Sequence, residues 1–247
     1  MNTEDKIVFP LSAPLTMEWE KDKIAITEAA QQPTTADKYY FHAASIQSLF
    51  NILTFGTRSA PKHPQRSGLL RKVHDELFPI ANFAKLYFSE SKEVLIQWVD
   101  GNQNYDATVE YLAENLGFPD IRYLEVTTLQ GSEDAKQLEE LSEGNNITTI
   151  SESDHETHVR KINLFETALK KKSGKTYPSK TALLVYTDEE RFLKCYFGLQ
   201  PPKIDKPKDY SAVLEKLSDS LRGFSQIIVY SKSDIYCMWT PQSIAEE

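Results

Sequence analysis

The chain predicts an α/β protein with a mixed central sheet flanked by helices, and three observations carry that expectation. Segments 94–99, 105–109 and 121–127 read as three strands in a row, which form a meander. Later strand-like segments, 181–186 and 225–231, alternate with amphipathic helical stretches, the arrangement of crossover units. No repeat period or low-complexity tract is present, so solenoid and propeller architectures are set aside. At 247 residues the chain is at the upper end of what one core serves, and its 40% hydrophobic and 11% aromatic content suffices to build that core. The predicted division is an N-terminal extension, 1–65, packing on an α/β domain, 66–247.

The elements follow in order. Residues 1–36 mix the strand-like Ile7-Val8-Phe9, an amphipathic piece from Trp19 to Ile26 and the loop-like run from Gln31 to Ala36. Ile46, Leu49, Phe50 and Leu53 recur at three and four, and Gly56 stands where a C-terminal cap belongs, so 39–55 is a helix. The polar stretch 58–67 is a loop. A second helix runs over 69–77, bends or restarts at Pro79 and continues to Ser89, because proline lacks the amide that a helix interior needs. Strand 94–99 turns at Asp100-Gly101-Asn102 into strand 105–109, followed by a short helix-like piece over 109–116. Beyond Gly117-Phe118-Pro119, the β-branched and aromatic run 121–127 is a strong strand signal. Ser132 caps a helix over 132–142 that Gly144 stops, and 145–156 is a polar loop. Val159, Ile162, Phe165, Ala168 and Leu169 then share one helical face that ends near Gly174. A buried strand, 181–186, a proline-rich connection, 200–207, and a helix over 210–221 lead to strands 225–231 and 235–239, joined across Lys232-Ser233-Asp234.

Composition narrows the partners. The net charge of −8 gives no global attraction to nucleic acid, so any such contact rests on local charge. Lys170, Lys171, Lys172, Lys175 and Lys180 form one basic run, and Arg58, Lys62, Arg66, Arg71 and Lys72 a looser set. The bland alternative for both is a solvated surface. No apolar run spans a bilayer and the first residues lack a secretory pattern, so no membrane partner and a cytoplasmic location are expected. Monomer and homodimer are both left open. Cys195 and Cys237 lie in aromatic, apolar contexts without a CxxC spacing and are expected to be buried, reduced thiols.

Phosphodiester hydrolysis with a hard divalent cation needs at least two carboxylates converging on one site. Neighbouring strands 105–109 and 121–127 supply them if Asp106 and Glu125 face the same side. Strand alternation puts Tyr123, Glu125 and Thr127 on one face and Leu124 and Val126 on the other. Asn104-Tyr105-Asp106-Ala107, then Tyr123-Leu124-Glu125-Val126-Thr127-Thr128, a helix with Glu139, the basic run ending Lys-Lys-Lys-Ser-Gly-Lys-Thr-Tyr and the strand Leu183-Leu184-Val185 together resemble the PD-(D/E)XK, or restriction-endonuclease-like, nuclease superfamily. The resemblance covers roughly residues 70–190. In that family a helix precedes a strand bearing Asp, a second strand bears an acid-x-Lys element, and a helix and a further strand close the core.

The resemblance implies a restriction-endonuclease-like core and Mg²⁺-dependent (or Mn²⁺-dependent) cleavage of DNA, or of RNA. Asp106 and Glu125 would hold the metal with the carbonyl of Val126, and Glu76 on the preceding helix would match an additional acid that some members carry. One departure is plain: Thr127 stands where the family has lysine and supplies no positive charge. Some members relocate that role to the following helix, where Lys136 or Gln137 would substitute; others have lost activity and keep the fold for binding protein or nucleic acid. Asp120 makes a literal Pro-Asp match, but lies five positions before Glu125 at the start of the same strand and reads as a turn residue.

Other chemistry finds less support. His155 and His158, with Asp154 and Glu156, have a metal-like composition but are expected at a solvated helix start. Gly174-Lys175-Thr176 lacks the upstream glycine of a phosphate-binding loop, and no Gly-x-Ser-x-Gly element occurs. Trp19, Trp98 and Trp239 read as core or interface anchors.

Overall fold

Seven strands lie side by side in the order in which the chain makes them. The computed structural model describes residues 11, 14–56, 69–89, 91–114, 116–131, 154–189 and 203–241. The elements are α1 (Trp19–Ala30), β1 (Thr34–Thr35), α2 (Ala36–Gly56), α3 (Leu69–Lys72), a π-helical turn (Val73–Leu77), α4 (Phe78–Tyr87), β2 (Val94–Trp98), β3 (Ala107–Tyr111), β4 (Tyr123–Thr128), α5 (Asp154–Ser173), β5 (Thr181–Tyr186), α6 (Lys206–Lys216), a 3₁₀ turn (Ser218–Leu221), β6 (Gln226–Tyr230) and β7 (Ile235–Trp239). Strands β1 to β4 pair antiparallel, β4, β5 and β6 pair parallel, and β7 returns antiparallel on β6. The mixed sheet expected from the sequence is therefore present. Among the described residues no helix is long and apolar enough to cross a membrane.

Parallel neighbours need long crossovers, and α5 and α6 lie in them. Both pack on one face of the sheet, where Phe165, Leu169, Tyr210 and Leu214 meet Leu183, Val185, Ile227 and Val229. The opposite face is covered by α1, α2 and α4, whose Ile26, Tyr39, Phe50 and Phe83 meet Ile96, Leu124, Val126 and Leu184. Covered on both sides, β5 and β6 carry apolar residues almost without interruption, whereas in β2 fully buried positions alternate with partly exposed ones. The segment read as an N-terminal extension thus builds one wall of the core, and its β1 adds an edge strand to β2.

Two elements depart from the sequence expectation. The helix of 69–87 does not break at Pro79. It widens into a π turn, in which the Phe78 amide donates to the Val73 carbonyl five residues back, and Pro79 then falls in the first turn of α4, where no amide is required. The expected helical piece over 109–116 is instead the end of β3, because Val109 and Tyr111 pair with Ile96 and Val94 and the strand continues to Tyr111 before the chain bends. The loop expected at 58–67 and the helix expected at 132–142 lie outside the described residues.

The long helix is fastened to the sheet by Tyr230, whose buried hydroxyl donates to the Pro79 carbonyl at 2.8 Å. Tyr230→Phe removes this buried bond, while the carbonyl keeps the amide that the first turn of α4 offers it. A loss of about 1–2 kcal/mol is expected, read as a lower urea midpoint at unchanged slope.

Candidate functional site

Register brings the two acids together. Ala107 faces Leu124 and Thr108 faces Tyr123, and Asp106, the residue before β3, comes beside the stretch of β4 that carries Glu125. Asp106 Oδ2 accepts a hydrogen bond from the Val126 amide at 2.7 Å, while its own amide donates to the Leu124 carbonyl at 2.7 Å. Burial raises the Asp106 carboxyl to about 6, and the Glu125 charge adds to the rise. Glu125 itself is only 3% exposed. The expected alternation holds: Leu124 and Val126 join the core under α1 to α4, and Glu125 points to the α5 face.

The cation at this site comes from α5. Lys172 Nζ lies 2.5 Å from Glu125 Oε1 and donates to the Val126 carbonyl at 3.1 Å, with Lys175 Nζ at 4.0 Å from the same carboxylate oxygen. Lys172 is one residue from the end of α5, in the crossover that leads from β4 to its parallel neighbour β5, which carries that helix end back past Glu125. Asn104 Nδ2 donates to the Thr176 carbonyl at 2.8 Å and ties the turn before Asp106 to the segment after α5. Tyr177 stands close by; burial raises its phenol, and the charges of Glu125 and Asp106 raise it further. The half-buried rings of Tyr105 and Tyr123 meet with centroids 4.7 Å apart, flanking the acids in sequence.

Glu76 arrives from the other helical layer. It sits in the π turn, and its Oε2 accepts from Trp98 Nε1 at 3.0 Å. Burial raises its carboxyl to about 7, with the Asp106 charge as the next contribution. Lys72, nearby, is held by Asp100 at 2.5 Å. Among the described residues, no group of three or more His, Cys, Asp or Glu side chains is placed to hold a metal ion. The oxygen donors gathered on this stretch are the carboxylates of Asp106 and Glu125 and the carbonyl of Val126. That donor set suits a hard cation, and one cation, the Lys172 ammonium, already rests on two of its members.

Thr127 is half-buried on β4 and brings no charge. Lys136 and Gln137, the expected substitutes, lie outside the described residues, as does Glu139. Lys172 places a positive charge beside Glu125, where the sequence reading looked to Lys136 or Gln137 instead. It was visible only as one member of a basic run, 47 residues from Glu125, and only the crossover geometry brings it there. Asp120 is a surface turn residue, paired with Arg122 at 2.7 Å and Lys180 at 2.5 Å.

His158 corrects the expectation of a solvated helix start. It is 3% exposed inside α5, with Nδ1 3.0 Å from Glu189 and Nε2 3.1 Å from Asp209. Both ring nitrogens face carboxylates, an arrangement that favours the imidazolium form. Burial alone would lower its pKa; the two carboxylates outweigh that and raise it. Tyr210 donates to Glu189 at 2.6 Å, Lys206 lies 3.8 Å away, and Lys161 bonds the Leu129 carbonyl and Asp188. The cluster links buried His158, Lys161, Glu189 and Tyr210 to the exposed Asp188 and the half-exposed Asp209, and is a staple joining α5, the end of β5 and α6. Cys237 is buried and free, with Ser211 at 3.3 Å, while Cys195 lies outside the described residues.

No family model matches the chain, and neither the curated proteins nor the solved structures contain a significant match.

Proposed function

We propose that the chain is a divergent PD-(D/E)XK-like nuclease that hydrolyses phosphodiester bonds in DNA or RNA with Mg²⁺ or Mn²⁺. The observation that carries this reading is the proximity of Asp106, bonded to the Val126 amide, to Glu125, with the Val126 carbonyl and the Lys172 ammonium beside Glu125. Support also comes from the order of elements: a helix bearing Glu76, three antiparallel strands, a helix and a parallel strand, the succession that the family resemblance implies.

In this reading Asp106, Glu125 and the Val126 carbonyl hold the ion, which when bound supplies Lewis-acid polarisation of the phosphate and a more acidic water. Lys172, standing in for the lysine that Thr127 replaces, brings positive charge to the phosphate, and the exposed Lys175 and Lys180 extend it along the strand that is cut. Glu76, with a carboxyl near neutrality, is placed to exchange a proton in the working pH range.

The test is cleavage of single- and double-stranded DNA and RNA in Mg²⁺ and in Mn²⁺. Asp106→Ala and Glu125→Ala are each expected to lower the rate more than about 100-fold, since even second-sphere changes at metal sites cost 10–100-fold. Cleavage that survives both changes undiminished belongs to another protein in the preparation and removes the reading. One observation favours a second reading: the Lys172 ammonium already neutralises Glu125. A chain that keeps this pair closed is a non-catalytic module that binds nucleic acid or protein. Binding without cleavage of any of these substrates is its signature.

A further inference from the structure

We propose that Lys172 is a built-in competitor for the divalent cation, so that ion entry and Lys172 release form a single exchange. The inference rests on the reading that Asp106, Glu125 and Val126 hold such an ion. Its ground is that the Lys172 ammonium lies 2.5 Å from Glu125 Oε1 and 3.1 Å from the Val126 carbonyl. These are two of the three oxygens that the ion needs, and a divalent ion with ligands at about 2.0–2.6 Å leaves no room for an ammonium on the same pair. Both species are cations, so they also repel each other across that distance.

Charge explains why the exchange runs in favour of the ion. The Lys172 ammonium contacts Glu125 and lies within charge reach of Asp106 as well, and the second nearby cation, Lys175, is 44% exposed and screened. Lys172 therefore leaves one negative charge uncompensated, and a divalent ion does not. Release is open to the lysine because it occupies the last turn of α5, and its flexible four-carbon stem can carry the ammonium outward from a side chain already 15% exposed. Once displaced, it keeps its charge beside the site, where a phosphate would arrive.

Mn²⁺ binding to the full chain, measured by titration calorimetry, tests this. Lys172→Met removes the competitor and is expected to tighten Mn²⁺ binding at least about tenfold, whereas Lys172→Arg keeps a cation there and is expected to bind no tighter than the unchanged protein. Because Lys172→Met leaves Glu125 buried and unpaired and can fail to fold, the unchanged protein gives a second measurement. Acetic anhydride labelling of Lys172, read by mass spectrometry, is expected to rise several-fold at saturating Mn²⁺, with the exposed Lys180 as the constant reference.

Mn²⁺ binding that Asp106→Asn abolishes, with no tightening in Lys172→Met and no change in Lys172 labelling, overturns the exchange and leaves the metal-site reading standing. Where Lys172→Met does not fold, unchanged labelling at saturating Mn²⁺ is enough to overturn it. Mn²⁺ binding that Asp106→Asn does not weaken, or no binding at all, overturns the metal-site reading and the exchange together.

Discussion

Asp106→Asn is expected to stabilise the fold by about 2–3 kcal/mol near pH 8 while removing cleavage. The carboxyl is raised to about 6, by burial first and by the charge of Glu125 second. A group whose folded pKa lies above its unfolded value binds protons more tightly when folded. Stability therefore falls as pH rises from about 4, the unfolded value of Asp, through about 6, and the full cost is present above both. Asparagine has nearly the same shape and its carbonyl oxygen can still accept from the Val126 amide, so the substitution lifts the electrostatic cost and keeps the hydrogen bond. Below about pH 4, where the native carboxyl is protonated, the two proteins should be equally stable. Glu76, raised to about 7, adds a loss of the same sign over a window that extends nearer neutrality. Urea unfolding of both proteins across this range is the measurement. A variant that is less stable near pH 8 would show that Asp106 serves the fold and not a ligand, because a residue kept at a cost to stability is the mark of a working site.

The sheet was legible because its signals are local. Val94 to Trp98, Thr181 to Tyr186 and Ile227 to Tyr230 announce themselves through β-branched and aromatic content, and the alternation at Tyr123-Leu124-Glu125-Val126 placed Glu125 on the opposite face from its neighbours. The short β3 was displaced by two residues, since Tyr105 and Asp106 look strand-like but precede the ladder, while Glu110 and Tyr111 look helical and belong to it. Pro79 signals a bend or restart of the helix. The π turn that absorbs it depends on packing, with Val73 and Leu77 buried and the Pro79 carbonyl taken by a tyrosine 151 residues away.

The acids of the candidate site could be named from the sequence because Glu125 lies on a strand, where side-chain direction has a period of two, and Asp106 directly precedes one. The cations could not. Lys172 and its neighbours Lys170 and Lys171 are equivalent in the sequence, and only the rotation of α5 decides which of them turns toward Glu125 and which stay in solvent. His158 was hidden for a related reason. Its partners Glu189 and Asp209 are 31 and 51 residues downstream, so its polar neighbours in sequence suggested water where the fold supplies carboxylates.

His158→Ala is expected to cost about 3–5 kcal/mol, the largest loss of stability among these substitutions, because it leaves Glu189 buried without its principal counter-charge. Glu189 is 3% exposed, and the half-exposed Asp209 loses the same partner at lower cost. Lys206, 3.8 Å from Glu189, and the Tyr210 hydroxyl remain and hold the loss within that range. The pH dependence has two edges. The pKa of His158 is raised, so its contribution is complete below the unfolded value of about 6.5 and is lost as pH rises through the higher folded value. Burial would raise Glu189, but its hydrogen bonds from His158 and Tyr210 prevail and lower it, so its contribution is present above about 4.5 and lost as pH falls through the lower folded value. The penalty of His158→Ala should accordingly peak between about pH 4.5 and 6.5 and shrink toward alkaline pH. Urea unfolding near pH 5.5 and pH 9 checks the shape, and a double-mutant cycle with Glu189→Ala should return a coupling of roughly 2–3 kcal/mol at the lower pH. A penalty that is flat with pH would mean that the ring is neutral and merely packed. That result would remove the imidazolium from the joint between α5 and α6.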